Sequence, residues 1–393
     1  MTGEPAAGEP ARQALLPARR AAEVLRHHAD DVDRRGRFPH ESVAALRDER
    51  LLAALIPHEL GGCGLTVAEI ADVCTVLGRA CASTAMIYAM HQIQIACLVA
   101  HGEEPAHRFL RRAADGQLLV ASGTSEHGHG GDIRSSTAAV EPDGDFVRLR
   151  KDVGTMSYGE QADALLVTAR RAPDAAATDQ VLVLLPRREP AAGEWTEVEV
   201  TRPWNALGLR GTASVGATVD ARAAAGGVLR TGFAEILAQT MFPVSHVLWS
   251  AVWLGIAADA LETAGRHLRR AGRGPRAALP RGYAEQVAAF YELDGFCRRQ
   301  AAAVSVRPGT AAGPAAELRG AVELNSLKVR VSRGVVDIVV GAMSAVGLDA
   351  YLLDTDVALG RQLRDALSAP LMIRNDRLMD NVGSSLAVLK TLF

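Results

Sequence analysis

The sequence predicts an α+β protein in three consecutive parts: an all-helical N-terminal domain, a middle β-barrel or β-sheet domain, and a C-terminal four-helix bundle. Three observations predict this. Apolar residues recur at three- and four-residue steps from about Leu16 to Asp115, short alternating or β-branched runs fill roughly the next hundred residues, and four long amphipathic stretches occupy the remainder. The divisions fall at residues 1–13 (a disordered lead-in), 14–117, 118–226 and 227–393.

The lead-in, Met1 to Arg12, is rich in Gly, Pro, Glu and Ala and lacks the basic-then-apolar order of a signal peptide. In the first domain, Ala21, Leu25, Val43, Leu46 and Leu51 to Leu55 mark helical stripes, and Val67 to Ala100 is a long run of helix formers with few charges. Ile56-Pro57-His58-Glu59-Leu60-Gly61-Gly62-Cys63-Gly64 interrupts the helices, since proline and paired glycines stop one and turn the chain. Strands are expected at Leu118 to Ala121, Phe146 to Leu149, Ala164 to Thr168, Val181 to Leu185, Thr196 to Thr201 and Ser214 to Val219, with Pro142-Asp143-Gly144 as a hairpin turn. Helix returns after Gly226-Gly227, over Val247 to Ala271, Tyr283 to Val304, Ala315 to Ala345 and Asp376 to Leu389.

The totals exclude several classes of function. With 48% hydrophobic residues in 393, the chain can bury a large core. A formal charge of -2 offers no field for nucleic acid or an anionic membrane. Cys63, Cys74, Cys81, Cys97 and Cys297 are odd in number and lack a C-x-x-C spacing, which fits neither a disulfide framework nor structural zinc and points to a reducing cytoplasm. No charged residue lies between Glu235 and Asp259, but Gln239, Pro243, Ser245 and His246 interrupt the run, so a helix buried among other helices is expected rather than a membrane span.

One stretch carries a concentration of chemistry: Ser122-Gly123-Thr124-Ser125-Glu126-His127-Gly128-His129-Gly130-Gly131-Asp132, with Thr155 and Ser157 following a hairpin. Small hydroxyls and glycines let backbone N–H groups approach a flat polar ligand closely, although the same composition also suits a solvated turn. His127-x-His129 with Asp132 has no companion ligand cluster, so no metal is expected.

The order of domains, with four motifs in register, resembles the acyl-CoA dehydrogenase superfamily of flavoproteins. The motifs are Leu52-Ala53-Ala54-Leu55-Ile56-Pro57 leading to Gly61-Gly62; Ser125-Glu126 with Gly128, Gly130 and Asp132; Leu207-Gly208-Leu209-Arg210-Gly211-Thr212-Ala213-Ser214; and Ala342-Met343-Ser344-Ala345-Val346-Gly347 leading to Arg364-Asp365-Ala366. The resemblance implies an FAD-dependent oxidoreductase assembled as a homodimer or homotetramer. It would remove hydrogen across the α,β bond of an acyl thioester, on CoA or a carrier protein, with the flavin as hydride acceptor. Its redox partner would be an electron-transfer flavoprotein, oxygen or a flavin reductase. By the same resemblance Thr124 and Ser125 contact the flavin ring, Thr155 its far edge, and Arg276, Ser344 and Gly347 the adenine and pyrophosphate end, although the family's Phe and Gln there are absent. Asp132, Ser245 and Arg210 fall on the substrate side, with Gly131 where the family has a serine.

The family's catalytic glutamate is missing. Its usual position falls at Ile373 and the alternative near Ser245, and neither residue accepts a proton. His246 and Asp376 are the candidate replacements, the first also readable as a packed core residue and the second as a helix cap. Otherwise the chain is a flavin monooxygenase or oxidase, with His91, His127, His129 and His246 as candidate site histidines, or a catalytically silent flavin-binding subunit.

Overall fold

In the computed structural model, which describes residues 9–128, 132–272, 278–306 and 314–389, helix α1 (Glu9–Arg35) starts inside the stretch expected to be a disordered lead-in. Pro10 occupies its first turn, where a missing N–H costs nothing, and Ala11, Gln13 and Ala14 favour helix. Then follow α2 (His40–Asp48), α3 (Val67–Gly78), α4 (Ala82–His101) and α5 (Glu104–Gly116). Thr66 and Glu69 cap α3 reciprocally, the Thr66 hydroxyl accepting from the Glu69 N–H while the Glu69 carboxylate accepts from the Thr66 N–H. The turn before α3 needs its glycines: Gly61 has φ +85°, and a Cβ on Gly62 would lie 2.0 Å from the Ile56 carbonyl oxygen.

The middle of the chain folds into two sheets. Its strands are β1 (Val120–Gly123), β2 (Glu141–Asp143), β3 (Phe146–Met156), β4 (Ala164–Arg170), β5 (Gln180–Pro186), β6 (Trp195–Arg202) and β7 (Val215–Ala224). β1 runs parallel to β4, which pairs antiparallel with β5, while β2, β3, β7 and β6 form an antiparallel sheet in that order. Pro142 and Asp143 belong to a strand rather than to the turn expected of them. The turn itself is Gly144-Asp145, where glycine adopts φ +64°. The β3–β7 register shifts between Val153 and Met156, and this bulge carries Gly154 and Thr155.

Helix α6 (Phe233–Ile236) passes through one π-helical turn, Leu237–Met241, into α7 (Phe242–Ala271). With α8 (Arg281–Ala303), α9 (Pro314–Val346) and α12 (Asn375–Val388) it builds the bundle, and α10 (Leu348–Tyr351) and α11 (Gly360–Ala366) join α9 to α12. The charge-free run before Asp259 lies in α7, long and apolar enough to cross a membrane but packed against α3, α4, α8 and α9. Close approach fixes its back face: a Cβ on Gly255 would fall 2.7 Å from the Thr75 carbonyl oxygen and 2.8 Å from Gly78 Cα. Two of the sequence motifs also meet here, because the Leu209 N–H donates to buried Asp365 at 2.7 Å and a Cβ on Gly208 would lie 2.0 Å from the Arg364 carbonyl.

Candidate active site between the strand ends and the bundle

The end of β1 and the β3 bulge are stitched together by one hydroxyl. Ser125 Oγ donates to the Thr155 carbonyl at 2.8 Å and accepts the Thr155 N–H at 3.0 Å, which places both residues on one rim and leaves the Thr155 side chain exposed. Thr168 Oγ1 donates to the Thr124 carbonyl at 3.3 Å. A few residues along, Ser157, Ser214 and Thr212 form a chain of hydroxyls at 2.8 Å spacings. Gly123 lets the rim close on β4, since a Cβ there would meet Val167 at 2.8 Å.

The acid in this loop points away from the rim. Glu126 is buried and accepts from the Ser136 and Thr137 hydroxyls and from the Thr137 and Ala138 N–H groups, with Lys151 Nζ at 3.6 Å. Burial opposes its ionisation, but those hydrogen bonds and the lysine outweigh it and hold the carboxyl below the usual range. Lys151 also donates to the Thr168 carbonyl and hydroxyl at 2.8 and 2.7 Å, and burial lowers its pKa to about 8 against the pull of Glu126. The rim therefore presents hydroxyls and backbone groups backed by a fully partnered ion pair.

On the bundle, joined to the loop through Asp132 and Arg377, is the region to which the resemblance assigns the family's glutamate. Ile373 adopts φ +50°, and its carbonyl accepts from Lys328 Nζ of α9 at 2.6 Å. Lys328 is fully buried and donates also to Asn375 Oδ1 at 2.8 Å, while Ser332 Oγ lies 3.1 Å from the Asn375 amide nitrogen. Burial, with no carboxylate partner among the described residues, pushes its pKa down to about 7. His246 of α7 is fully buried, packs its ring 3.9 Å from that of Phe242, and has no partner at Nε2. Burial first and the Lys328 charge second bring its pKa to about 3, so it is a neutral imidazole and a weak base at neutral pH.

The other candidates divide clearly. Asp132 is joined to Arg377 of α12 at 2.7 Å, which ties the loop to the bundle beside the Lys328 cluster. Asp376 points to solvent and pairs with Arg374 at 3.4 Å, so buried Asn375 is the residue of that turn facing inward. Arg210 is spent on scaffold, donating to the Asp33 and Ala206 carbonyls at 2.6 and 3.1 Å. Ser245 Oγ donates to the Phe242 carbonyl at 2.9 Å. Ser344 is exposed and donates to the Val340 carbonyl, and Gly347 closes α9 with φ +90° and open space around it. Arg276 and His129 lie outside the described residues. His127 is exposed. His91 is fully buried, with Nδ1 accepting the Val120 N–H at 3.0 Å and Nε2 donating to the Leu52 carbonyl at 2.8 Å, which makes it a strut between α4, β1 and the Leu51–Ala53 turn.

A flavin ring fits this donor set. Its pyrimidine edge offers acceptors and gains negative charge on reduction, and the rim supplies Thr124 and Thr155 hydroxyls while turning its acid inward. Lys328 was not expected from the sequence. Its one signal was a lysine set among Leu324, Leu327 and Val331 on the apolar side of a long helix.

Residues 16–117 match the family model described as the acyl-CoA dehydrogenase N-terminal domain. The chain is 26% identical over 254 residues to cyclohex-1-ene-1-carbonyl-CoA dehydrogenase of Geobacter metallireducens, covering 63% of this chain and 64% of that protein. It is 26% identical over 285 residues to the amino sugar nitrososynthase RubN8 of Streptomyces rubradiris, covering 68% of this chain and 64% of that protein. The match thus spans just under two thirds of each of these curated relatives. The FMN-bound structure of TdsC, the dibenzothiophene monooxygenase of Paenibacillus sp. A11-2, superposes with a TM-score of 0.83 at 21% identity, over 97% of this chain and 99% of that one, and so shares its fold.

Proposed function

We propose that the chain, whose residues 16–117 match the N-terminal domain of the acyl-CoA dehydrogenases, is a flavin-dependent oxidoreductase of that superfamily and acts as a monooxygenase, using flavin reduced by a partner reductase. One observation carries this reading: neither position of the family's base holds a carboxylate, and the ionisable groups that replace it are a neutral imidazole and a lysine. Removing the α-proton of a thioester needs a positioned base stronger than His246. Similarity to a nitrososynthase and a shared fold with a monooxygenase support oxygen chemistry on this scaffold.

When held by the rim, a reduced flavin would supply the two electrons needed to put one oxygen atom of O₂ into the substrate and release the other as water. The residues of this chain do the rest. The Thr124 and Thr155 hydroxyls orient the ring, and Glu126, held by Lys151, keeps its charge off the ring face. The bundle excludes water, while Lys328 holds a proton at Nζ and His246 offers a bare Nε2 as acceptor. FMN is favoured over FAD, because the motifs that hold an adenine end are incomplete in this sequence.

A second reading, α,β-desaturation of an acyl thioester, is favoured by one fact: with a pKa of about 7, a share of Lys328 is free amine at neutral pH and can accept a proton where the glutamate would. The test separates the two. Flavin-loaded protein is mixed without oxygen with a panel of acyl-CoA thioesters. It is then mixed with ¹⁸O₂, a flavin reductase and a panel of phenols, amines and thiophenes. Label in a product with no anaerobic bleaching is expected; bleaching by a thioester alone would establish desaturation instead. Cofactor released by heat and chromatographed distinguishes FMN from FAD.

A further inference from the structure

On α7, His246, Trp249, Ser250 and Trp253 fall at positions i, i+3, i+4 and i+7, a single stripe of the helix. All four carry a buried polar atom with no partner among the described residues: His246 Nε2, Trp249 Nε1, Ser250 Oγ and Trp253 Nε1. The same holds for Asn325 Oδ1 on α9, one turn before Lys328. Lys328 Nζ lies 5.6 Å from the Trp253 ring centroid, and the His246, Trp249 and Trp253 rings follow one another at 6.4 and 6.5 Å. Native interiors leave few polar atoms unpaired, so four on one helical stripe, with the buried cation Lys328 beside Trp253, mark a place where a ligand completes the bonds.

The chemistry of the stripe specifies that ligand. Two indole N–H groups and the third ammonium proton of Lys328 donate, whereas His246 Nε2 and Asn325 Oδ1 accept. No carboxylate pairs with Lys328 among the described residues, so a charged oxygen on the ligand would be its counter-ion. The walls are aromatic, and Phe242 and Trp249 are half-buried while His246, Ser250 and Trp253 are enclosed.

We propose that this stripe is the substrate pocket and that it takes a flat aromatic compound with an ionisable hydroxyl, bound as its oxyanion against Lys328 with the indole N–H groups of Trp249 and Trp253 around it. The proposal rests on the reading of the site given above and adds the substrate class to it.

The probe is 4-nitrophenol, whose ionised form is yellow, titrated into the flavin-loaded protein with nitrobenzene as the control lacking the oxygen. Saturable quenching of tryptophan fluorescence is expected, together with enrichment of the yellow form over free probe at the same pH. Lys328→Met should lose the yellow enrichment and bind at least about tenfold more weakly, as removal of one member of a buried charge pair does. Trp253→Phe keeps the ring but lacks the donor, and should bind more weakly while folding normally, which decides the matter if Lys328→Met is unstable. Absence of saturable binding, equal affinity for nitrobenzene, or an unchanged Lys328→Met complex would overturn the proposal. Retained flavin, read from the visible spectrum of the same samples, is scored separately. Protein that binds nitrophenolate but no flavin would refute the monooxygenase reading and leave the pocket standing.

Discussion

Two buried lysines, one under the rim and one in the bundle, differ in whether the chain itself supplies their counter-ion. Lys151 under the rim and Lys328 in the bundle are both fully enclosed, and burial pulls both down, to about 8 and about 7. Lys151 has its counter-ion within the chain, since Glu126 lies at 3.6 Å and is itself held by Ser136, Thr137 and Ala138. Lys328 meets only neutral acceptors, the Ile373 carbonyl and the Asn375 amide oxygen. A saturated network is rigid and holds a cofactor in one place, whereas an unsaturated one retains binding capacity for something that arrives later.

The largest expected effect strikes the saturated side. Glu126→Leu leaves Lys151 without its counter-ion and several donors without an acceptor, and should cost about 3–5 kcal/mol in denaturant unfolding. Adding Lys151→Met to that variant should recover much of the loss, and a single-variant cost below about 1 kcal/mol would dissolve the contrast. Next comes the support behind the bundle side. Gly255→Ala forces a Cβ into the Thr75 carbonyl and Gly78, so a loss of about 1–3 kcal/mol is expected by thermal unfolding, with weaker nitrophenolate binding as α7 shifts.

A smaller effect is one of pH. The unfolded chain holds the Lys328 proton up to its ordinary 10.5, whereas the folded chain releases it near 7. Between those values the unfolded state binds more protons, so this group makes stability rise with pH, by at most about 1.4 kcal/mol per unit. The difference between wild type and Lys328→Met, measured from pH 6 to 9 by urea titration, should therefore grow above about pH 7. Lys151 acts in the same direction from about 8 upward but is common to both proteins and cancels. An equal slope in both would show that Lys328 stays charged. The smallest effect is expected at Asp376. Asp376→Asn should change unfolding by no more than about 0.5 kcal/mol and leave turnover within about twofold, because its carboxylate faces solvent.

Much of this was legible in the sequence, and the parts that were not share a cause. Period 3.6 gave the long helices, and alternating or apolar β-branched runs located six of the strands, although β3 runs on to Met156 and β7 to Ala224, beyond the expected Leu149 and Val219. That Ser125 and Thr155 belong to one site was legible only through the resemblance, which sets both against the flavin ring, and the hydrogen bonds that join them come from the structure. The start of α1 was misjudged because alanine and glutamate serve helix and disordered chain equally. Lys328 escaped notice because a lysine in an amphipathic helix ordinarily lies on the solvent face, and what encloses it is a carbonyl 45 residues away in sequence. Arg210 and Asp376 resemble ligand-binding groups in sequence, yet the structure turns one to the Asp33 and Ala206 carbonyls and the other to solvent. Side-chain direction at loop and helix ends depends on contacts that no local pattern records.

The π-helical turn at Leu237–Met241 works as a phase adjuster for all of this. It inserts one extra residue into an otherwise continuous helix, so it sets the rotational offset between α6, anchored by buried Phe233 and Ile236, and the stripe that begins at His246. Removing one residue there would restore ordinary winding and turn everything downstream by about 100°. His246, Trp249 and Trp253 would then swing off α9 while Gly255 left Gly78. A single inserted residue in that turn thus sets which side chains α7 turns toward α9 and which glycine it brings against Gly78.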